Sequence, residues 1–201
     1  MMNSKNTTNR AFIIGNGKSR EGFDLEQLRP HGTIYGCNAL YRDFKPDYLI
    51  AIDTPITEEI MKSDFPKDRF IHPEMEEQFE HPEFNPFSRF RSNAGMNAMI
   101  EALRHGKREL MCLGFDFIIN NNFATSNIYN GSNAYGPETR TSIADNIRRV
   151  NYLDWFARKN HVAHIKMILP RLKDLRVHRV EARNLKGMFI DELVPYLYKN
   201  I

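Results

Sequence analysis

Six short apolar runs, each closed by a turn signal and separated by longer mixed segments, restrict what this chain can fold into. Residues 11–14 run into Gly15-Asn16-Gly17-Lys18-Ser19, 32–37 into Asn38, 47–52 into Asp53, and 110–113 into Gly114-Phe115-Asp116. A shorter run covers 69–71, and 162–169 is stopped by Pro170. Runs that are apolar nearly throughout, instead of at alternate positions, are expected where both faces of a parallel sheet are covered. The intervening segments read as helices. Residues 54–62 are acidic at the start with Pro55 in the first turn, which suits the helix dipole. In 92–105, Ala94, Ala98, Ile100, Ala102 and Leu103 recur at roughly helical spacing, and Gly106 follows as a C-terminal cap. In 142–160, Ile143, Ile147, Val150, Leu153 and Phe156 form one apolar stripe, leaving Arg148, Arg149 and Arg158 elsewhere on the surface. Strands alternating with helices predict an α/β fold with an open, mostly parallel, Rossmann-like sheet and helices on both faces.

The chain has 201 residues, which suits one domain over 1–170 with a tail at 171–201. The tail is basic as far as Lys186. It then turns amphipathic with Phe189, Ile190, Leu193 and Leu197, as a docked helix or a homo-oligomer contact would. Two segments break the strand–helix alternation: 73–90, rich in Glu, Phe and Pro, and the polar loop 117–140. Loops this long in compact domains are usually functional or disordered.

Composition excludes several classes. Hydrophobic residues make up 41% and charged residues 26%, which opposes intrinsic disorder. No apolar run approaches the ~20 residues of a membrane helix. The opening MMNSKNTTNR lacks the apolar core of a signal peptide, so a cytoplasmic address is expected. A net charge of +3 is too small to argue for nucleic acid. Cys37 and Cys112 lie inside strand-like runs and read as buried thiols without an evident partner for nucleophilic work. His161 with His164, and His72 with His81, lack the neighbours a metal site needs, and no metal centre is expected. The Arg and Lys residues of 171–186 read as a solvated face. Phe84, Phe87 and Phe90 read as a satellite cluster, with a sugar-stacking lid as the other possibility.

Chemistry is expected at the strand ends, because ligands of open parallel sheets sit beyond the carboxyl ends of the strands. Those ends carry Gly15, Asn16, Gly17, Lys18 and Ser19, then Asn38, then Asp53, then Gly114 and Asp116. Ser92-Asn93-Ala94-Gly95 opens a helix, where free backbone N–H groups hold anions. The turn at 15–19 has two readings. It is a plain strand exit, or two glycines admit a ligand while Lys18 and Ser19 meet a phosphate. It is neither GxxxxGK[ST] nor GxGxxG. Asp53 likewise reads as a binding carboxylate or a helix N-cap.

In their order along the chain, Gly-Asn-Gly-x-Ser, Cys-Asn, Ser-x-x-Gly and Gly-x-Asp-Phe resemble the bacterial sialyltransferases that use CMP-sialic acid. Pro46-Asp47-Tyr48 followed by Asp53 is similar to the wider motility-accessory-factor and hydroxymethylpterin-diphosphokinase-like relatives. The resemblance covers about residues 10–170 and is concentrated in these short motifs. It implies a glycosyltransferase-like enzyme that binds a nucleotide-activated sugar and passes the sugar to an acceptor, with no cofactor required. It implies that Asn16 and Ser19 contact phosphate and sugar, and that Asn38 binds near the reacting centre. Ser92 and Gly95 would hold sugar or phosphate, and Asp116 the nucleoside. Where that family has Pro after the second glycine, this chain has Lys18. Its general-base His has no counterpart here, which leaves Glu138 or Asp145 as the carboxylate that would take the proton. Tyr129 and Tyr135 lie in the loop of the family's phosphate-supporting tyrosines, several residues late, and Arg140 is a further cation of that loop. Two alternatives stand beside this reading: a diphosphotransferase needing Mg²⁺ on Asp53 and Asp116, and a nucleotide-binding protein without catalysis.

Overall fold

The structure, a computed structural model, describes residues 9–73, 90–120, 126–137 and 141–199. Among these, seven strands form one parallel sheet: β1 Arg10–Ile14, β2 Thr33–Cys37, β3 Tyr48–Ile50, β4 Phe70–Ile71, β5 Glu109–Leu113, β6 His164–Leu169 and β7 Leu185–Phe189. Their order across the sheet is β4-β3-β2-β1-β5-β6-β7. The chain therefore builds outward from β1 in one direction and then returns to β1's other side with β5. That reversal leaves a crevice at the carboxyl ends of β1 and β5, the topological switch point of such sheets.

The strands are buried on both faces, as their apolar character requires. In β1, Ala11 and Ile13 face one side and Phe12 and Ile14 the other. The first face is covered by α2 (Ala94–Arg104) and α3 (Ile143–Lys159), through Met96, Met99, Val150, Leu153 and Phe156 among others. The second is covered by the short 3-10 segments around Leu28 and Leu40 and by α4 (Ile190–Lys199), through Leu193 and Leu197. α1 (Thr54–Lys62) follows β3 and buries Ile56 and Ile60 in a smaller cluster.

Helix ends follow local chemistry. The Asn93 side chain caps α2 by accepting the Met96 N–H at 2.9 Å. At the other end Gly106 takes φ +79°, and the N–H groups of Gly106 and Lys107 donate to Leu103 and Ala102 carbonyls, closing a Schellman motif. Ser142 caps α3 by accepting the Asp145 N–H.

Two findings depart from the sequence expectations. The stripe on α3 is shifted in phase: Ile143 and Ile147 are exposed, while Asn146 is buried with Val150, Leu153, Phe156 and Ala157. The segment after Pro170 docks by supplying both β7 and α4. Residues 170–184 cross without a helix, held where the Asp154 carboxylate accepts the N–H groups of Glu181 and Ala182. Both cysteines are buried as expected, and burial pushes the Cys37 thiol up to about 12 and the Cys112 thiol higher still. No described helix is long and apolar enough to cross a membrane.

Candidate functional site

At the switch point the carboxyl ends of β1 and β5 meet backbone to backbone. The Gly15 N–H donates to the Leu113 carbonyl at 2.8 Å, and the Gly17 N–H to the Gly114 carbonyl at 3.0 Å. A Cβ on Gly15 would lie 2.6 Å from the Gly114 oxygen, and one on Gly114 the same distance from the Gly15 oxygen. Gly114 also has φ +70°. Only glycine fits both positions. Above this floor lies a pocket of about 280 Å³, near the lower end of the usual ~300–1,000 Å³ for small-molecule sites.

The pocket gathers residues from distant parts of the chain. Gly15, Asn16, Gly17, Asn38, Asp53, Ser92, Asn93, Gly95, Gly114 and Asp116 all line it, as expected from their places at strand ends and at the start of α2. Lys18, Ser19, Tyr129, Tyr135 and Asp145 do not, and Glu138, Arg140, His81, Phe84 and Phe87 lie outside the described residues.

Several of the lining side chains hold the site together. Asn16 donates through Nδ2 to the Cys37 carbonyl at 2.9 Å and accepts from Arg20 at 3.2 Å, tying the ends of β1 and β2. Asp116 lies directly over Gly17, where a Cβ would collide with its carboxylate. Its Oδ2 accepts the Ser19 N–H at 2.9 Å. Burial raises the Asp116 pKa above the ordinary carboxylate value, and hydrogen bonding from Ser19 only partly counters this. Thus Ser19 and the exposed Lys18 belong to a turn clamped from behind.

Other groups are left for a ligand. Asn38 adopts φ +52°, a left-handed conformation uncommon outside glycine, and its buried Oδ1 has no hydrogen-bond partner. Asp116 Oδ1 is likewise without one. Asp53 occupies the N-cap position of α1, yet its side chain makes no capping bond there. At α2, Met96 gives its N–H to Asn93, while the Ala94 and Gly95 amides have no intrahelical acceptor. Gly95 is small enough for the Phe115 ring to pack against the helix start, since a Cβ would meet the ring at 2.6 Å.

Arg91, Asn146 and Arg149 complete the wall, and none was expected there. The signal existed in helical phase. Arg149 stands four residues before Leu153 and seven before Phe156, so it continues the buried stripe of α3 toward the strand ends. Burial and the neighbouring Arg91 lower the Arg149 pKa to about 10, which leaves it charged at neutral pH.

Asp145 is engaged elsewhere: it pairs with Arg91 at 2.9 Å and with Arg148 at 3.3 Å. Burial acts to raise its pKa, but the Ser142 hydroxyl and the charges of Arg91 and Arg149 outweigh that and hold it below the ordinary value. A general base needs the opposite shift. Tyr129 and Tyr135 serve to dock the 126–137 loop, packing on each other and on the cluster of Ile56 and Phe65. Arg42 braces the same loop, paired with Glu59 at 2.7 Å and donating to the Ser132 hydroxyl. The loop in turn meets the glycine turn where the Ile128 N–H donates to the Asn16 carbonyl at 2.9 Å.

Compared with protein-family models, with curated proteins and with solved structures, the chain finds no significant match.

Proposed function

We propose that this chain is a glycosyltransferase-like enzyme of the cytoplasm, binding a nucleotide-activated sugar of the CMP-sialic-acid type and passing the sugar to an acceptor hydroxyl. One observation carries the reading. Polar groups from four strand ends meet the start of α2 and an arginine of α3 in a single pocket at the switch point. In the reaction the bond from the sugar's anomeric carbon to phosphate oxygen breaks and the nucleotide leaves as an anion. The acceptor oxygen bonds to the anomeric carbon and its proton goes to a carboxylate. The α2 amides and Arg149 stabilise the charge that gathers on the departing phosphate. Asp53 lines the pocket without a capping duty and joins Glu138 as the carboxylate to test for the proton.

The diphosphotransferase alternative needs Mg²⁺ on Asp53 and Asp116. Among the described residues no three His, Cys, Asp or Glu side chains converge, and Asp116 gives one oxygen to Ser19. Asp116 keeps its other oxygen and Asp53 lines the same pocket, and two carboxylates with a substrate phosphate are a usual Mg²⁺ donor set, so the metal dependence of turnover separates this reading from sugar transfer.

A thermal-shift screen of CMP, UDP, their sugar conjugates and ATP, with and without Mg²⁺, is the first test. A ligand at a hundredfold excess over Kd raises apparent stability by ~2.7 kcal/mol. Metal-independent release of CMP or UDP from a sugar conjugate supports transfer, and its loss in Asp53→Asn or Glu138→Gln identifies the base. Turnover only with ATP and Mg²⁺ together would replace the proposal with the diphosphotransferase, and saturable binding without turnover would replace it with a nucleotide-binding protein.

A further inference from the structure

Arg149 is a cation built into the pocket wall with no carboxylate in direct contact among the described residues, Asp145 and Asp53 acting on it only from farther off. Its Nε is buried with no hydrogen-bond partner, and its Nη1 donates to Asn146 Oδ1 at 3.1 Å. Asn146 is itself 3% exposed, so the brace is fixed in the core of α3. Among the described residues no carboxylate lies within ion-pair distance of Arg149, because Asp145 is taken by Arg91 and Arg148. A guanidinium withdrawn from water and given one neutral partner is costly to hold. An anion would offset that cost through the fork geometry in which Arg binds phosphate oxygens.

The same pocket presents what the rest of such an anion needs. The Ala94 and Gly95 amides open α2 with no intrahelical acceptor. Ser92 is buried beside them and accepts from Asn97, which leaves its own hydroxyl proton to donate. Lys18, the cation that the glycine turn brings to mind, is exposed and does not line the pocket.

We propose that Arg149, braced by Asn146 and joined by the Ala94 and Gly95 amides, is the seat of a phosphoryl group, so that the pocket takes a phosphate ester held from α3 and α2. This rests on the reading of the pocket as a site for a phosphate-bearing donor, though not on sugar transfer.

The test is calorimetric titration of the full chain with CMP, cytidine, inorganic phosphate and N-acetylneuraminate. Arg149→Gln should weaken CMP and phosphate by about 30-fold, the loss of charged hydrogen bonds, while changing cytidine by less than about twofold. Arg149→Lys should recover part of the loss, because it restores charge without the fork. Asn146→Ala, which removes the brace while keeping the guanidinium, should weaken CMP by about 3–10-fold and decides the matter if Arg149→Gln does not fold. Unchanged CMP affinity in these variants, a loss carried by Lys18→Gln instead, or an Arg149 dependence confined to N-acetylneuraminate would each overturn the proposal. So would a wild-type chain that binds neither CMP nor phosphate at millimolar concentration. Arg149-dependent CMP binding without turnover of any sugar nucleotide would remove the transferase reading and leave the phosphate seat standing. Turnover indifferent to Arg149 would do the reverse.

Discussion

At the amino ends of the strands, Glu109 uses both carboxylate oxygens. Arg10 pairs with one at 2.7 Å, while Lys166 at 3.0 Å and the Tyr196 hydroxyl at 2.9 Å share the other. The two cations lie beside the Tyr196 ring, so four elements are locked at one point. His31 Nε2 is left over there, but each of the three charged groups has a partner of opposite sign. At the carboxyl ends of the same strands, Asn38 Oδ1, Asp116 Oδ1 and Arg149 Nε are buried without partners around an open pocket. One end of the sheet satisfies its charges internally and fastens the C-terminal helix. The other holds back donors and acceptors at a cost to stability, which is the usual mark of a binding site.

The contrast is sharpest if each end is broken in turn. Glu109→Leu should cost about 3–5 kcal/mol in urea unfolding by stranding Arg10 and Lys166, while ligand affinity of the folded protein holds. The wild-type pH dependence follows the same carboxyl. Burial acts to raise its pKa, but hydrogen bonds from Arg10 and Lys166 outweigh that and hold it below the ordinary 4.5. Its contribution is therefore present above that value and lost as pH falls through the lower folded pKa, a dependence that Glu109→Gln should lack. Gly114→Ala comes next, at about 2–3 kcal/mol from the left-handed backbone and the collision with Gly15, and unlike Glu109→Leu it should also abolish CMP binding. Asn38→Gly should leave stability within about 1 kcal/mol, since glycine accepts the same backbone, yet weaken the nucleotide-sugar about tenfold. If stability falls and affinity does not, Asn38 belongs to the scaffold and the contrast fails at that residue. The smallest effect is expected of Asp145→Asn, under about 1 kcal/mol for a solvent-screened pair, with turnover within about threefold of wild type. A large loss of turnover there would make Asp145 the base after all.

Much of the frame was legible because the chemistry was local. Residues 54–62 form α1 with the expected bounds, and Gly106 and Ser142 mark helix ends whose geometry depends on a few neighbouring atoms, while α2 begins at Ala94, two residues after the expected Ser92. The strand-end rule also placed Asn38, Asp53 and Asp116 in one pocket before any contact was known. What escaped depended on tertiary phase. Ile143 and Ile147 drew the α3 stripe a residue out of register, and so put Arg149 on the wrong face. β7 was hidden because an edge strand carrying Lys186 and Gly187 exposed has little apolar pattern to show. The family resemblance gives Asp116 to the nucleoside, and neither it nor a carboxylate's place at a strand end reveals that the side chain bends back over Gly17.

The mutual clasp of Gly15 and Gly114 bears on how such a protein can change its ligand. With two main chains touching, neither of these positions has a side chain to enlarge, shrink or recharge. New preferences would have to come from the ceiling and sides: the first turns of α3, Asn38, and the loop that Arg42 pins. Engineering libraries aimed at those places, with the twin glycines held constant, have the best prospect of altering what is bound while keeping the molecule intact.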